Sequence, residues 1–177
     1  EHVVRVLGLT AVVVPELGTA VRQADVISIA VSRTAPLHLK REWVQPGCTL
    51  LASGPFQCDE ALWLDMKIVL DNTALHQTYV QEGKENHDPA YGNHIGTPIY
   101  QLIDAGKLPS LEAFPTLGQI ILGEQGGRTG EDEILCFIND GMAIFDMGLC
   151  HDLYETALEQ GIGQKLVLWD SAAQCAE

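Results

Sequence analysis

The apolar positions of this chain fall into short runs separated by longer polar or amphipathic segments. Val26-Ile27-Ser28-Ile29-Ala30-Val31 is almost continuously apolar and rich in β-branched residues, which predicts a strand covered on both faces. Thr49-Leu50-Leu51-Ala52, after the Pro46-Gly47 turn, predicts a second strand. Lys67-Ile68-Val69-Leu70 predicts a third and residues 133–138 a fourth, and Val12-Val13-Val14 is a shorter candidate of the same kind. Helix signals lie between these runs. Residues 1–8 read as the end of a helix stopped by Gly8, and Pro15-Glu16 opens one that runs to about Gln23. A helix is expected at 58–65. Thr97-Pro98 places an N-cap before an N1 proline, with Gly106 as the stop. Another helix fits 115–122, and the longest, about 142–160, follows Asn139-Asp140-Gly141. In it Phe145, Leu149, Leu153 and Ala157 recur every four residues and predict a buried stripe. Residues 83–97 and the glycine-rich stretch Gly123–Gly130 predict loops.

Short apolar strands alternating with helices predict βαβ units, and hence an α/β fold with a parallel sheet and helices on both faces. Ligands of such sheets bind at the carboxyl ends of the strands. Those ends are Ala30-Val31-Ser32, Ser53-Gly54-Pro55, Asp71-Asn72 and Asn139-Asp140-Gly141. Small residues at the first two let a flat or pyrophosphate-bearing ligand approach the backbone. The last precedes a helix, whose N-terminus favours polar or anionic groups. The same residue types also make ordinary turns, so the pattern alone leaves both readings open.

Composition narrows the partners. A length of 177 residues suits one domain, or one domain with an appendage. Ten Lys and Arg against 24 Asp and Glu give a formal charge of −14, which argues against nucleic acid or an anionic membrane surface as the main partner. A phosphate-bearing small molecule stays open, because backbone N–H groups hold phosphate without a cation. With 46% apolar residues the chain builds a packed core, yet no apolar run approaches the roughly 18 residues of a membrane span. The cysteines 48, 58, 136, 150 and 175 are odd in number, widely spaced and form no C-x-x-C. They read as free thiols in a reducing cytoplasm rather than as a disulfide framework or a zinc site. His76, His87 and His94 flank the polar loop at spacings that do not indicate metal ligation, and surface histidines are expected there. Cys150 and His151 point about 100° apart on a helix, so they form no catalytic pair.

Several segments, taken in order, carry a resemblance. They are residues 20–31 (Ala-Val-Arg-Gln-Ala-Asp-Val-Ile-Ser-Ile-Ala-Val), and Trp43-Val44-Gln45-Pro46-Gly47 with Leu50-Leu51-Ala52-Ser53-Gly54. Next comes Gly127-Arg128-Thr129 with Glu133-Ile134. Last is Gly141-Met142-Ala143-Ile144-Phe145-Asp146 with Tyr154, Ala157, Gly161-Ile162-Gly163 and Leu168-Trp169. Together they resemble the ornithine cyclodeaminase and mu-crystallin proteins, which bind NAD or NADP. The resemblance implies a partial Rossmann-type NAD(P) domain over 1–161, and a tail over 162–177 that returns toward a separate substrate and dimerisation domain. Ala30, Val31 and Ser32 would line the cofactor, Ser53, Gly54 and Pro55 would pass close to it, and Asn139 would meet the nicotinamide. Asp140 would meet the substrate, where a carboxylate suits an amine, the alternative being a solvated cap of the helix that follows. No G-x-G-x-x-G occurs in this part of the pattern, so the first βα unit and the substrate domain are expected upstream of Glu1.

The resemblance also shows a departure in chemistry. Cyclodeaminase members carry an acid/base Asp after the strand matched by residues 50–54. Here Phe56 stands at that position, and Asp59 is the nearby candidate to replace it. The expected function is therefore an NAD(P)-dependent oxidoreductase of a small amino or imino acid, of the imine reductase or amino-acid dehydrogenase type. The alternatives are ornithine cyclodeaminase itself, converting L-ornithine to L-proline and ammonia, and a non-catalytic cofactor or small-ligand binder like mu-crystallin. The family implies a homodimer at full length.

Overall fold

The strands of the protein are β1 (Val26–Ile29), β2 (Leu37–Leu39), β3 (Thr49–Ala52), β4 (Phe56–Cys58), β5 (Lys67–Leu70) and β6 (Leu135–Ile138). The helices are α1 (His2–Leu7), α2 (Leu17–Val21), α3 (Glu60–Asp65), α4 (Thr73–Glu85), α5 (Thr97–Asp104), α6 (Leu117–Ile121) and α7 (Ala143–Gln160). This computed structural model describes residues 2–31, 37–164 and 166. They divide into two units between Gly141 and Met142.

In the first unit a four-stranded sheet runs in the order β1-β3-β6-β5, with every neighbouring pair parallel. The expected parallel α/β architecture is therefore present. One face of its inner strands is dry, with Leu50, Ala52, Cys136 and Ile138 each 0% exposed, while Leu51 on the other face is 37% exposed. On β5, Ile68, Val69 and Leu70 are buried in succession, as in a strand covered on both faces. β1 differs from expectation. It ends at Ile29, and its residues alternate between exposed and buried. Its exposed positions Val26 and Ser28 lie on the same sheet face as the exposed Leu51 of β3, which pairs with Ser28, so the exposure follows one face of the sheet.

Several local expectations are corrected. Val12-Val13-Val14 forms no strand; Val13 is 97% exposed, and among the described residues no strand pairs with this run. The helix expected over 15–23 is only α2, and Gln23 takes φ 64 beyond its end. The segment 58–65 contains the end of β4 before α3 begins. β4 pairs in parallel with β2 to make a second, two-stranded sheet that the pattern did not show. α4 was also unmarked and takes the first residues of the supposed 83–97 loop; a 3-10 turn at Tyr91–Asn93 orders part of the rest. Its N-cap is Asn72, whose side chain accepts the Leu75 N–H at 3.1 Å. α6 starts with a capping box between Thr116 and Gln119.

The second unit is built on α7, which ends at Gly161 in the left-handed conformation (φ 65). The predicted stripe of Phe145, Leu149 and Leu153 exists as a pattern but is not buried: they are 54%, 63% and 60% exposed. Ile144, Met147, Tyr154 and Leu158 are exposed too, so apolar residues circle the helix. Among the described residues this unit offers no second helix or strand to cover them. Leu168, Trp169 and Cys175, expected in the tail, lie outside the described residues.

Leu50→Ala removes a fully buried side chain from β3 and is expected to lower unfolding free energy by about 2–5 kcal/mol. Ile121→Ala, at a site 75% exposed, should stay within about 0.5 kcal/mol. Urea denaturation of both variants checks the contrast.

Candidate functional site

The register of the four-stranded sheet aligns Ile29, Ala52, Ile138 and Leu70. The ladder then continues one residue beyond the strands. Ser53 N–H donates to Ile29 O at 2.9 Å, Asn139 N–H to Ala52 O at 2.9 Å, and Asp71 N–H to Ile138 O at 3.0 Å. Ala30, Ser53, Asn139 and Asp71 therefore leave the sheet side by side along one edge. The Asn139 side-chain N–H bridges two of these tips by donating to Ser53 Oγ at 3.1 Å. Gly54 is buried against the neighbouring tip: a Cβ there would lie 2.7 Å from Val31 N and 2.8 Å from Val31 O. Only glycine allows that approach of backbone to backbone. Ala30, Ser53 and Pro55 are exposed, while Val31 and Asn139 are half-buried. The edge thus gathers Ala30, Val31, Ser53, Gly54, Pro55, Asn139 and Asp140. Ser32 lies outside the described residues.

Beneath the β5 and β6 tips lies a polar cluster. His76, expected at the surface with His87 and His94, is instead 0% exposed. It lies on the inward face of α4, a helix the pattern had not marked. His87 is exposed as expected; His94 is half-buried and stacks on Tyr79 with ring centroids 3.5 Å apart. The His76 Nε2–H donates to Asp71 Oδ1 at 2.9 Å, and its Nδ1 stands 2.5 Å from Tyr100 Oη. Asp71 also accepts the Asn72 N–H at 2.8 Å and the Gly141 N–H at 3.1 Å. Burial pushes the Asp71 carboxyl up. The His76 bond and charge and the two backbone N–H groups outweigh burial and hold it below the usual carboxylate range. Burial, then Asp140, pushes the Tyr100 hydroxyl far up.

Asp140 turns inward. Its side chain is 5% exposed, and Oδ1 accepts the Ile95 N–H at 2.9 Å. Oδ2 is buried without a hydrogen-bond partner, 3.6 Å from His76 Nδ1. Sequence reasoning missed His76 and Tyr100. The signal available was a histidine five residues after a strand-ending aspartate, behind an Asn N-cap.

Asp59 follows β4 of the smaller sheet and is the N-cap residue of α3. Its Oδ2 accepts the Arg41 N–H at 2.9 Å, and its Oδ1 lies 2.9 Å from His38 Nε2. The Arg41 N–H first, then His38, hold its carboxyl below the usual range. A general acid working near neutral pH needs the opposite shift. The neighbouring Cys58 thiol is pushed up to about 12 by burial and by Asp59.

Parallel strands whose carboxyl tips form one glycine-tightened edge define an α/β domain of the open-sheet class, whose ligands bind at that edge. The sequence profile of the ornithine cyclodeaminase/mu-crystallin family matches residues 2–161, and the chain belongs to this family. It is 31% identical over 166 residues to a Δ(1)-pyrroline-2-carboxylate reductase of Bacillus cereus, covering 94% of this chain and 47% of that protein. Among solved structures, an archaeal alanine dehydrogenase dimer with bound NAD superposes with a TM-score of 0.67 at 25% identity, covering 95% of this chain and 48% of that one. The fold is also that of Thermococcus litoralis Δ(1)-pyrroline-2-carboxylate reductase in complex with NADH and L-proline, with TM-score 0.70, 22% identity, and 92% and 47% coverage. The chain spans about half the length of the curated relatives it matches.

Two measurements probe this edge. Gly54→Ala drives a Cβ into the Val31 backbone and should destabilise the protein by about 1–3 kcal/mol, read by thermal unfolding. The Asp71 contribution is full above its unfolded value of about 3.9 and is lost as pH falls through its lower folded value. The wild-type thermal midpoint should therefore fall more steeply in acid, below about pH 4, than that of Asp71→Asn.

Proposed function

We propose that this chain is the dinucleotide-binding part of an NAD(P)-dependent oxidoreductase acting on a small amino or imino acid, of the imine reductase or amino-acid dehydrogenase type. The observation that carries the reading is the single edge formed by Ala30, Ser53, Asn139 and Asp71, supported by family membership. The tips fit a flat dinucleotide. The backbones of Ala30-Val31 and Ser53-Gly54-Pro55 would run along it, and the bare Cα of Gly54 lets these two tips close on each other. Asn139 spends one N–H on Ser53, and its carbonyl oxygen and second N–H suit a nicotinamide carboxamide. When bound, NAD or NADP supplies or accepts the hydride.

Asp140 serves the substrate from beneath the tip. Its carboxylate makes the edge negative where a substrate amine or protonated imine nitrogen sits. Asp59 does not serve as acid/base: His38 and Arg41 occupy both its oxygens, and the shift is downward. That engagement favours hydride transfer over the cyclodeaminase reaction, which needs such an acid. The whole protein would work as a homodimer, as the archaeal alanine dehydrogenase is a dimer. Among the described residues no helix is long and apolar enough to cross a membrane. The free thiols of Cys48, Cys58, Cys136 and Cys150 support a cytoplasmic location.

Fluorescence titration of the full-length protein with NADH and NADPH tests the reading, followed by turnover on a panel of cyclic and linear α-imino acids. Binding of one nucleotide and formation of an amino acid are expected, with Asp59→Asn leaving the rate unchanged. Binding of neither nucleotide removes the proposal, and loss of activity in Asp59→Asn returns that residue to the chemistry.

A further inference from the structure

The cluster beneath the β5 and β6 tips holds two carboxylates and one imidazole. Asp71 is satisfied, since Asn72 N–H, Gly141 N–H and His76 all donate to it. Asp140 is not. One oxygen has the Ile95 N–H, and the other is buried with no donor. His76 Nδ1, at 3.6 Å, is the nearest candidate, but Tyr100 Oη takes that nitrogen at 2.5 Å. Even an imidazole carrying both protons leaves one negative charge in excess.

The surroundings do not cancel that charge. α4 contributes His76 and Tyr79, α5 contributes Tyr100, and the segment before α5 contributes the Ile95 N–H and His94, which stacks on Tyr79. Glu82 adds further negative charge near Tyr79. Among the described residues no lysine or arginine pairs with Asp71 or Asp140. The Tyr79 and Tyr100 hydroxyls both register the charge: after burial, Asp140 is the next cause pushing each of them up. An unpartnered buried carboxylate oxygen costs stability, and it is held here one residue from Asn139, at the edge assigned to the nicotinamide.

NAD⁺ and NADH share their phosphates and differ by one positive charge on the nicotinamide ring. We propose that Asp140 is the residue that discriminates the two redox forms, its uncompensated charge favouring the cationic ring over the neutral one. The inference rests on the cofactor reading given above, and His76, Tyr100 and Asp71 are positioning residues that keep the Asp140 oxygen unpaired. A merely structural residue weakens both forms alike, whereas a charge acting on the ring changes their ratio.

The experiment measures dissociation constants for NAD⁺ and for NADH on the full-length protein, by calorimetry and fluorescence. It compares wild type with Asp140→Asn, Asp140→Ser and the exposed control Glu124→Gln. Both Asp140 variants should raise the ratio of the NAD⁺ to the NADH constant by on the order of tenfold, the size expected of one unit charge acting through protein. Glu124→Gln should leave the ratio unchanged. The thermal midpoint of Asp140→Asn should be no lower than wild type, since the amide keeps the Ile95 bond and replaces an unpaired charge. An unchanged ratio with both forms still bound, or equal weakening of both, overturns the inference and leaves the cofactor reading standing. Wild-type protein that binds neither form sinks the cofactor reading itself.

Discussion

Everything at the candidate site hangs on the level register of four parallel strands. Because Ile29, Ala52, Ile138 and Leu70 are paired in one row, the chain leaves all four strands at the same height. The ladder bonds made by Ser53, Asn139 and Asp71 extend that row by one residue. A shift of one residue in any strand would put its tip on another level and turn its apolar side chains outward. The dryness of Leu50, Cys136 and Ile138 is what forbids such a shift, so core packing fixes the geometry of the edge.

Upon this frame the protein places polar groups in two layers. The outer layer is backbone and small side chains, with the Asn139–Ser53 bond tying two tips together. The inner layer is the Asp71–His76–Tyr100 chain with Asp140 beside it. Buried polar groups are destabilising unless satisfied, and all but one atom of this layer is satisfied. The exception lies next to Asn139, and a buried polar atom without a partner calls for an explanation in a native structure.

The sequence made the sheet legible because buried parallel strands read as uninterrupted apolar runs, and it made the tips legible because small and turn-forming residues follow those runs. It hid what lacks an apolar signature. β2 and β4 are three residues each, too short for a period. α4 fully buries only His76 and Gly83 and half-buries Tyr79 and Val80, so its inward face is a weak apolar stripe broken by a histidine and a glycine. The inner polar layer joins residues 71, 76, 100 and 140, which only the tertiary fold brings together. α7 failed differently: periodicity tells where a helix is apolar, not whether anything covers it.

The thiols of the described residues differ in reach. Cys48 and Cys136 are buried in and beside the sheet, and Cys58 is half-buried with its proton firmly held, whereas Cys150 lies exposed on α7. A maleimide dye at neutral pH would therefore attach at Cys150 ahead of these three, because thiolate character and access together set alkylation rates. That asymmetry gives a spectroscopic label on the C-terminal unit that leaves the strand edge chemically untouched.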